Sequence, residues 1–232
     1  MSNNNNNNNK DNAAESSSLS FMTSLEQVAD QLDGWTGGWA TTYANLYPES
    51  PTTPLGIFFL ATNLAYSMAG YALWVTTTTT TTTNTPMDGL LLSVLTETAS
   101  VASFVYHYGQ LLSGSASEEE SSLSFSWVRI VLVVDYLVAF AAIGTALSCL
   151  VTTPGGMVLS WQGWVACSLS LVCLALSWID ERPGPYIVFH GLWHILGAYG
   201  GYSVGQAHLR AVAATTATTL LTTTTMVPPP LL

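Results

Sequence analysis

The segment Phe189-His190-Gly191-Leu192-Trp193-His194-Ile195-Leu196 holds two histidines four residues apart and no other ionisable group. In a helix, side chains at this spacing lie one above the other on the same face, with Cβ atoms roughly 6 Å apart. Two imidazoles on adjacent turns suit a single metal ion. The alternative is a pair of core histidines hydrogen-bonded to neighbouring carbonyls. The metal interpretation therefore requires a third ligand from elsewhere in the chain.

The composition is that of an integral membrane protein. Of 232 residues, 49 % are hydrophobic and only 8 % are charged, against roughly 25 % charged residues in a soluble domain. The net charge of −10 comes from 14 acidic and four basic residues, and the absence of a basic stripe argues against nucleic-acid binding. The three cysteines all fall in apolar segments, where a cysteine commonly serves as a small hydrophobe.

Several apolar runs are long enough to cross a bilayer core of roughly 30 Å, which takes about 20 helical residues. The sequence therefore predicts an all-α, multi-pass transmembrane helix bundle in the plasma membrane or an endomembrane. The five predicted spans are Leu55–Val75, Leu90–Leu112, Trp127–Val151, Met157–Trp178 and Tyr186–Gly205. We call the membrane face that carries the N-terminus side A and the opposite face side B.

The remaining sequence divides into polar and interfacial segments around a bundle predicted at 54–208. We predict an Asn/Ser-rich disordered segment at 1–20 and a Thr/Pro-rich disordered tail at 209–232, because neither can bury a core. Residues 21–53 are predicted to form an amphipathic helix and an interfacial aromatic patch that lead into the first span. Two tracts between spans are interpreted as loops, the eight threonines Thr76–Thr83 and the acidic connection Ser113–Ser126.

Few ionisable residues fall within the spans, and most of them lie at one depth. They are Glu97, His107, Asp135, His190 and His194. At about 1.5 Å per residue, all except Glu97 lie roughly 6 to 12 Å from side A. Three stretches far apart in sequence thus place polar groups in one layer of the same leaflet.

Three histidines and a carboxylate in one layer match a catalytic zinc site, in which three protein ligands leave a fourth position for water. The sequence predicts His107, His190 and His194 as ligands of Zn²⁺. Asp135 would act as a general base or orient a ligand. Ser103, one turn from His107, could hydrogen-bond to the water or to an oxyanion, although a bond to its own helix backbone is an equal alternative.

Two further polar residues lie outside this layer. Glu97 is about ten residues deeper than His107, toward side B, and is interpreted as a buried protonated acid, a cavity lining or part of a partner contact. His208 lies beyond the fifth predicted span, next to Arg210, and is interpreted as a surface or headgroup residue.

The order of these motifs resembles the transmembrane protein 8 and myomaker family, in the superfamily of alkaline ceramidases and progestin and adiponectin receptors. The resemblance covers roughly residues 54 to 205. It rests on Ser103-Phe104-Val105-Tyr106-His107, on Val134-Asp135-Tyr136, on the paired histidines, and on Leu60-Ala61-Thr62-Asn63-Leu64-Ala65-Tyr66 in the first span.

The resemblance implies a zinc ion bound by His107, His190 and His194, with Ser103 and Asp135 around its water. It also implies an N-terminus outside the cell or in a lumen. The family includes a phospholipase A2 acting on GPI-anchored proteins and a muscle fusogen. Its members have seven spans, whereas the 55 residues from Asp135 to His190 hold only one span between those two helices. The faces that two missing spans would cover need lipid, a partner helix or a second copy of the chain.

Three functions follow as hypotheses. The first is a zinc-dependent hydrolase that cleaves an acyl ester or amide of a membrane lipid. The second is a non-catalytic membrane protein in fusion, adhesion or reception with a structural zinc. The third is a transporter or channel in which Glu97 and Asp135 line a polar path.

Overall fold

The computed structural model describes residues 23–38, 49–80, 87–113, 118–153, 159–179 and 182–225. These ranges are almost entirely helical and contain no strand, which confirms the predicted all-α polytopic bundle. The predicted disordered segment at 1–20 lies outside the described residues. The helices are α1 (23–36), α2 (Pro54–Thr62), α3 (Leu64–Thr80), α4 (Met87–Ser113), α5 (Glu118–Thr152), α6 (Trp161–Ile179) and α7 (Pro183–Thr225).

Four stretches of the described chain are long and apolar enough to cross a membrane, and they coincide with the first four predicted spans. They are Pro54–Thr79, Met87–Ser113, Trp127–Thr152 and Trp161–Ile179. The fifth predicted span lies within α7, where histidines, glycines and tyrosines lower the mean hydropathy. Because α7 contacts each of the helices α2 to α6, much of its polar surface faces protein instead of lipid.

The first predicted span is not one continuous helix. Asn63 separates α2 from α3 although its backbone keeps helical dihedral angles (φ −66°, ψ −25°). Its side-chain amide donates to the carbonyls of Phe59 and Leu60. The Asn63 carbonyl in turn accepts a hydrogen bond from Ser100 on α4. The side-chain amide thus satisfies carbonyls at the end of α2, and α3 begins at the next residue.

Threonine-rich tracts are more helical than the sequence indicated. The tract predicted as a loop continues α3 to Thr80, and α7 continues through much of the predicted tail to Thr225. In both helices threonine hydroxyls donate to backbone carbonyls three or four residues earlier, so these polar groups are satisfied within the helix. The acidic connection is also shorter than predicted, because α5 begins at Glu118.

Side-chain contacts along the helices show the directions in which α2, α3, α4 and α7 run. Ser67 contacts Ser100 and Ser93 contacts Gly70, so α3 and α4 are antiparallel. Thr62 and Thr76 contact His194 and Gln206, so α2 and α3 run parallel to α7. The side A end of α4 therefore lies beside the start of α7, as the predicted topology requires.

The core consists of two apolar clusters, one toward each side of the bundle. The side A cluster contains Phe59, Tyr106, Leu111, Val128, Leu132, Tyr186 and Ile187. The side B cluster contains Leu73, Leu92, Cys149, Leu159, Val204 and Leu209. Because α7 contributes to both, it extends through the whole length of the bundle as its central helix.

Helix α1 is tied to the side A end of α5 by charge. Arg129 lies 3.0 Å from Asp30 and 2.7 Å from Asp33 through the same guanidinium nitrogen. This places part of the predicted amphipathic lead-in against the bundle, on the side where the histidines lie.

Candidate metal centre

The three histidines predicted as ligands lie together inside the bundle. His107 projects from α4, and His190 and His194 project from consecutive turns of α7. Their ring centroids form a nearly equilateral triangle with sides of 4.9, 5.0 and 5.1 Å. One nitrogen of each ring lies within 4.8 Å of the other two. The structure therefore supplies the third ligand that the paired histidines required.

Each imidazole is held through its Nδ1 atom by a different polar side chain. His194 Nδ1 is 3.0 Å from Thr62 Oγ1, His190 Nδ1 is 3.3 Å from Ser177 Oγ, and His107 Nδ1 is 3.3 Å from Gln110 Oε1. The three partners come from α2, α6 and α4. Helices from most of the bundle thus determine how the rings are oriented.

The partners also determine which nitrogen carries the proton. Thr62 donates its hydroxyl hydrogen to the Phe59 carbonyl at 2.6 Å, and Ser177 donates to the Leu174 carbonyl at 2.7 Å. Each hydroxyl oxygen is then left to accept from an imidazole Nδ1–H, and Gln110 Oε1 can only accept. We infer that all three rings carry hydrogen on Nδ1 and a lone pair on Nε2.

The environment of His107 Nε2 is the clearest indication that the triad could take a ligand. This atom is buried and has no hydrogen-bond partner among the described residues, and His107 itself is 0 % exposed. Leaving a buried polar atom unpaired costs roughly 1–3 kcal/mol. Each of the three neutral imidazoles has a lone pair on Nε2. Together they are a donor set that could hold a metal ion.

An apolar aromatic shell surrounds the triad. Phe59 on α2 lies 4.2 Å from the His107 ring, 5.9 Å from the His190 ring and 6.2 Å from the His194 ring, measured between centroids. Tyr186 lies 5.2 Å from His190 in the same measure. Such a shell limits the access of bulk water and lowers the local dielectric.

Ser103 and Asp135 lie on one side of the triad. Ser103 Oγ is 3.4 Å from His194 Nε2, and Ser103 also lies near the carboxyl group of Asp135 on α5. Ser103 is buried, whereas Asp135 is half-buried. Ser103 thus lies between Asp135 and the histidines, and its contact to His194 is made across helices.

Two polar residues lie apart from this centre, and the interpretation of His208 was wrong. His208 is only 3 % exposed, and its Nδ1 lies 2.9 Å from Thr153 Oγ1. It was interpreted as a surface residue because it follows the predicted span, but α7 continues past it. Glu97 is half-buried against α3, where Gly70 leaves room for its side chain.

The sequence analysis missed the three residues that hold the imidazoles. Gln110 was detectable in principle, because it lies three residues after His107 and thus on the same helical face. Thr62 and Ser177 carried no such signal, since they lie 132 and 13 residues from their histidines. Only tertiary contacts identify them.

Comparisons with protein-family models, with curated proteins and with solved structures found no match to this chain.

Proposed function

We propose that this chain is a zinc-dependent membrane hydrolase that cleaves an acyl ester or amide bond of a membrane lipid. The observation that carries the proposal is the convergence of three oriented imidazoles, with a serine and a carboxylate at one side. Three histidine ligands with a position left open is the donor set of catalytic zinc sites.

The residues around the triad have the chemistry that hydrolysis needs. A zinc ion held by the three histidines would supply the Lewis acid that polarises the carbonyl oxygen. Asp135 would accept the proton of the attacking water and return it to the leaving oxygen or nitrogen. Ser103 lies between Asp135 and His194 and would hold the Asp135 carboxylate in position relative to the attacking water.

The position of the site favours a lipid substrate. Three residues of the site are buried, namely Ser103, His107 and His194. Asp135 on α5 and His190 on α7 are only half-buried. The site is therefore most accessible where α5 and α7 carry these two residues. Helices α5 and α6 both pack against α7, but they do not form an extensive contact with each other. A lipid could therefore approach between them from the bilayer.

We also propose membership of the transmembrane protein 8 and myomaker family, on the motifs given above. Under this proposal the N-terminus and side A are extracellular or lumenal, and a GPI-lipid phospholipase A2 is one form of the activity. Helix α5 exposes Leu137, Phe140 and Leu147. Lipid, a partner helix or a second copy of the chain would cover this face.

The second candidate function is a non-catalytic protein in fusion, adhesion or reception, with the zinc as a structural clamp. The observation that favours it is that the triad joins α4 to α7 and is held by residues of α2 and α6. A metal at this point would stabilise the packing of four helices without any reaction.

Metal content is the first test. We expect the purified protein to hold one zinc per chain, and His107→Ala and His194→Ala to lose it. His208→Ala is the matched control, because His208 is a buried histidine of the same helix that bonds Thr153. A folded, metal-free wild-type protein would disprove both functions, and equal loss of zinc from the control would disprove the assigned ligands.

Lipid turnover separates the enzyme from the clamp. We expect Asp135→Asn to keep its zinc and to lose hydrolysis of ester- and amide-linked lipids by about 10²-fold or more, the typical contribution of general acid–base catalysis. Glu97→Gln, which removes another acid within the spans, should keep activity. Wild-type protein that binds zinc but hydrolyses none of these lipids would favour the clamp.

A further inference from the structure

A second polar site lies at the side B end of the bundle, away from the histidines. It is a groove of about 590 Å³ between the start of α6 and the middle third of α7. Its polar and aromatic lining comprises Ser160, Tyr199, Tyr202, Ser203, Gln206 and Arg210. Arg210 follows His194 by 16 residues, or about 24 Å along a helix, so the groove is separate from the metal centre.

We propose that this groove binds the phosphate-bearing headgroup of an anionic phospholipid in the side B leaflet. The proposal uses no residue of the metal centre and no hydrolytic step, and it takes from the proposed function only the orientation that makes side B cytosolic. It rests on charge, on hydrogen-bonding capacity and on depth in the membrane.

Arg210 gives the groove its positive charge. No carboxylate among the described residues forms an ion pair with it, whereas Arg129 is paired with two. Among the acidic residues that the structure describes, only Asp88 lies at a side B end of a candidate span. A guanidinium without a carboxylate partner is available for bidentate binding of a phosphate group.

The remaining lining residues include suitable donors. Ser160 Oγ accepts a bond from the backbone N–H of Gly163, which leaves its hydroxyl hydrogen free to donate. Tyr199 and Tyr202 add phenolic hydroxyls. Gln206 is oriented by its bond to Thr76 Oγ1 at 2.7 Å, so the wall of the groove is held in place from α3.

The depth of the groove fits a headgroup. Its residues surround the first turn of α6, where a candidate span begins at Trp161. Trp161 is 70 % exposed and Trp164 is 53 % exposed, and tryptophan and tyrosine collect at the membrane–water interface. In the proposed orientation side B is cytosolic, and that leaflet carries the anionic lipids.

The test is lipid retention by the full-length protein, measured by native mass spectrometry after extraction from vesicles of equal phosphatidylglycerol and phosphatidylcholine. We expect the wild type to retain phosphatidylglycerol preferentially and Arg210→Gln to reduce that preference by roughly tenfold or more, since charge-assisted hydrogen bonds are lost. Tyr202→Phe should reduce it by a smaller factor. Arg182→Gln makes the same charge change at side A and should have no effect.

Three results would overturn the proposal. They are an unchanged preference in Arg210→Gln, an equal loss in Arg182→Gln, and wild-type protein that shows no preference for the anionic lipid. Titration with soluble glycerol phosphate in neutral detergent distinguishes the source of the phosphate. Micromolar binding that disappears in Arg210→Gln would assign the groove to a free phosphate ester and overturn the lipid assignment.

Discussion

At the scale of single residues, the metal centre depends on hydroxyl and amide groups as much as on histidines. Thr62 and Ser177 each donate their hydroxyl hydrogen to a carbonyl of their own helix. Each hydroxyl oxygen can then only accept a hydrogen bond from the adjacent imidazole. That local bond is what makes the adjacent imidazole carry its hydrogen on Nδ1. Two common helix-backbone interactions thereby leave the Nε2 lone pairs available to a metal ion that the triad could hold.

The substitution Thr62→Val tests this arrangement. Valine has nearly the same shape but cannot accept from His194 Nδ1, so the ring loses the bond that holds its tautomer and orientation. We expect zinc affinity to fall by about 10- to 100-fold, the usual effect of losing such a partner. Competition with a fluorescent chelator measures the affinity.

Thr98→Val is the matched control, because Thr98 is exposed and bonds only to Val94 of its own helix. Its zinc affinity should equal that of the wild type. Equal affinities for Thr62→Val and the wild type would mean that Thr62 does not orient the ligand.

At the scale of helices, α2 is a short element that carries two residues of the site, Phe59 and Thr62. Its position depends on the turn before it, where Thr53 caps the helix and Pro54 occupies the first turn. Gly56 lies directly against the Ser50 carbonyl, and a Cβ atom there would overlap the Ser50 backbone oxygen. The approach of Ser50 to α2 therefore requires glycine.

Gly56→Ala should displace the turn or the helix, because the opposing atoms belong to the backbone and cannot rotate away. We expect the free energy of unfolding to fall by about 1–3 kcal/mol, the usual cost of overpacking, seen as a lower Tm in detergent. Gly201→Ala is the control, because no atom lies within 4 Å of a Cβ built at Gly201.

The control should be neutral or slightly stabilising, by up to about 1 kcal/mol, since alanine is the better helix former. If both variants melt at the same temperature, the close approach of Ser50 to α2 does not contribute to stability. Zinc content of Gly56→Ala would also report whether Phe59 and Thr62 have moved.

At the scale of the whole molecule, α7 joins the two sides of the bundle. It contributes Tyr186 and Ile187 to the side A cluster and Val204 and Leu209 to the side B cluster. Its composition is less apolar than that of the four candidate spans. Its polar residues serve the metal centre near side A and the groove near side B.

This arrangement predicts five membrane crossings, with the two ends of α7 on opposite sides. Single cysteines can replace Glu49, Arg182 and Thr216 in turn. Labelling each variant with a membrane-impermeant maleimide in sealed vesicles shows on which side of the membrane the cysteine lies. Glu49→Cys and Arg182→Cys should label from one side, and Thr216→Cys from the other. Of the native cysteines, Cys149 and Cys173 are buried and Cys167 is half-buried, and their labelling is measured in the parent protein.

Labelling of all three positions from the same side would show that α7 does not cross. The predicted five-span topology would then be wrong, and side B would not be the location of Arg210.

The sequence by itself determined the fold class, four spans and the identities of the three histidines. Hydropathy over about 20 residues is a strong local signal, and ionisable residues in apolar runs are rare enough to identify individually. It also determined that His107 and the paired histidines share one depth, because helical rise converts residue number directly into depth.

The tertiary structure alone decided how these residues meet and what holds them. The partners Thr62 and Ser177, the position of Ser103 between Asp135 and His194, and the burial of His208 all depend on how helices face one another about their axes. Rotation about a helix axis follows from side-chain packing between helices, which the pattern within one span does not specify. The threonine-rich tracts failed as sequence predictions for a related reason, because their hydroxyls are satisfied by backbone carbonyls within helices that extend from the packed bundle.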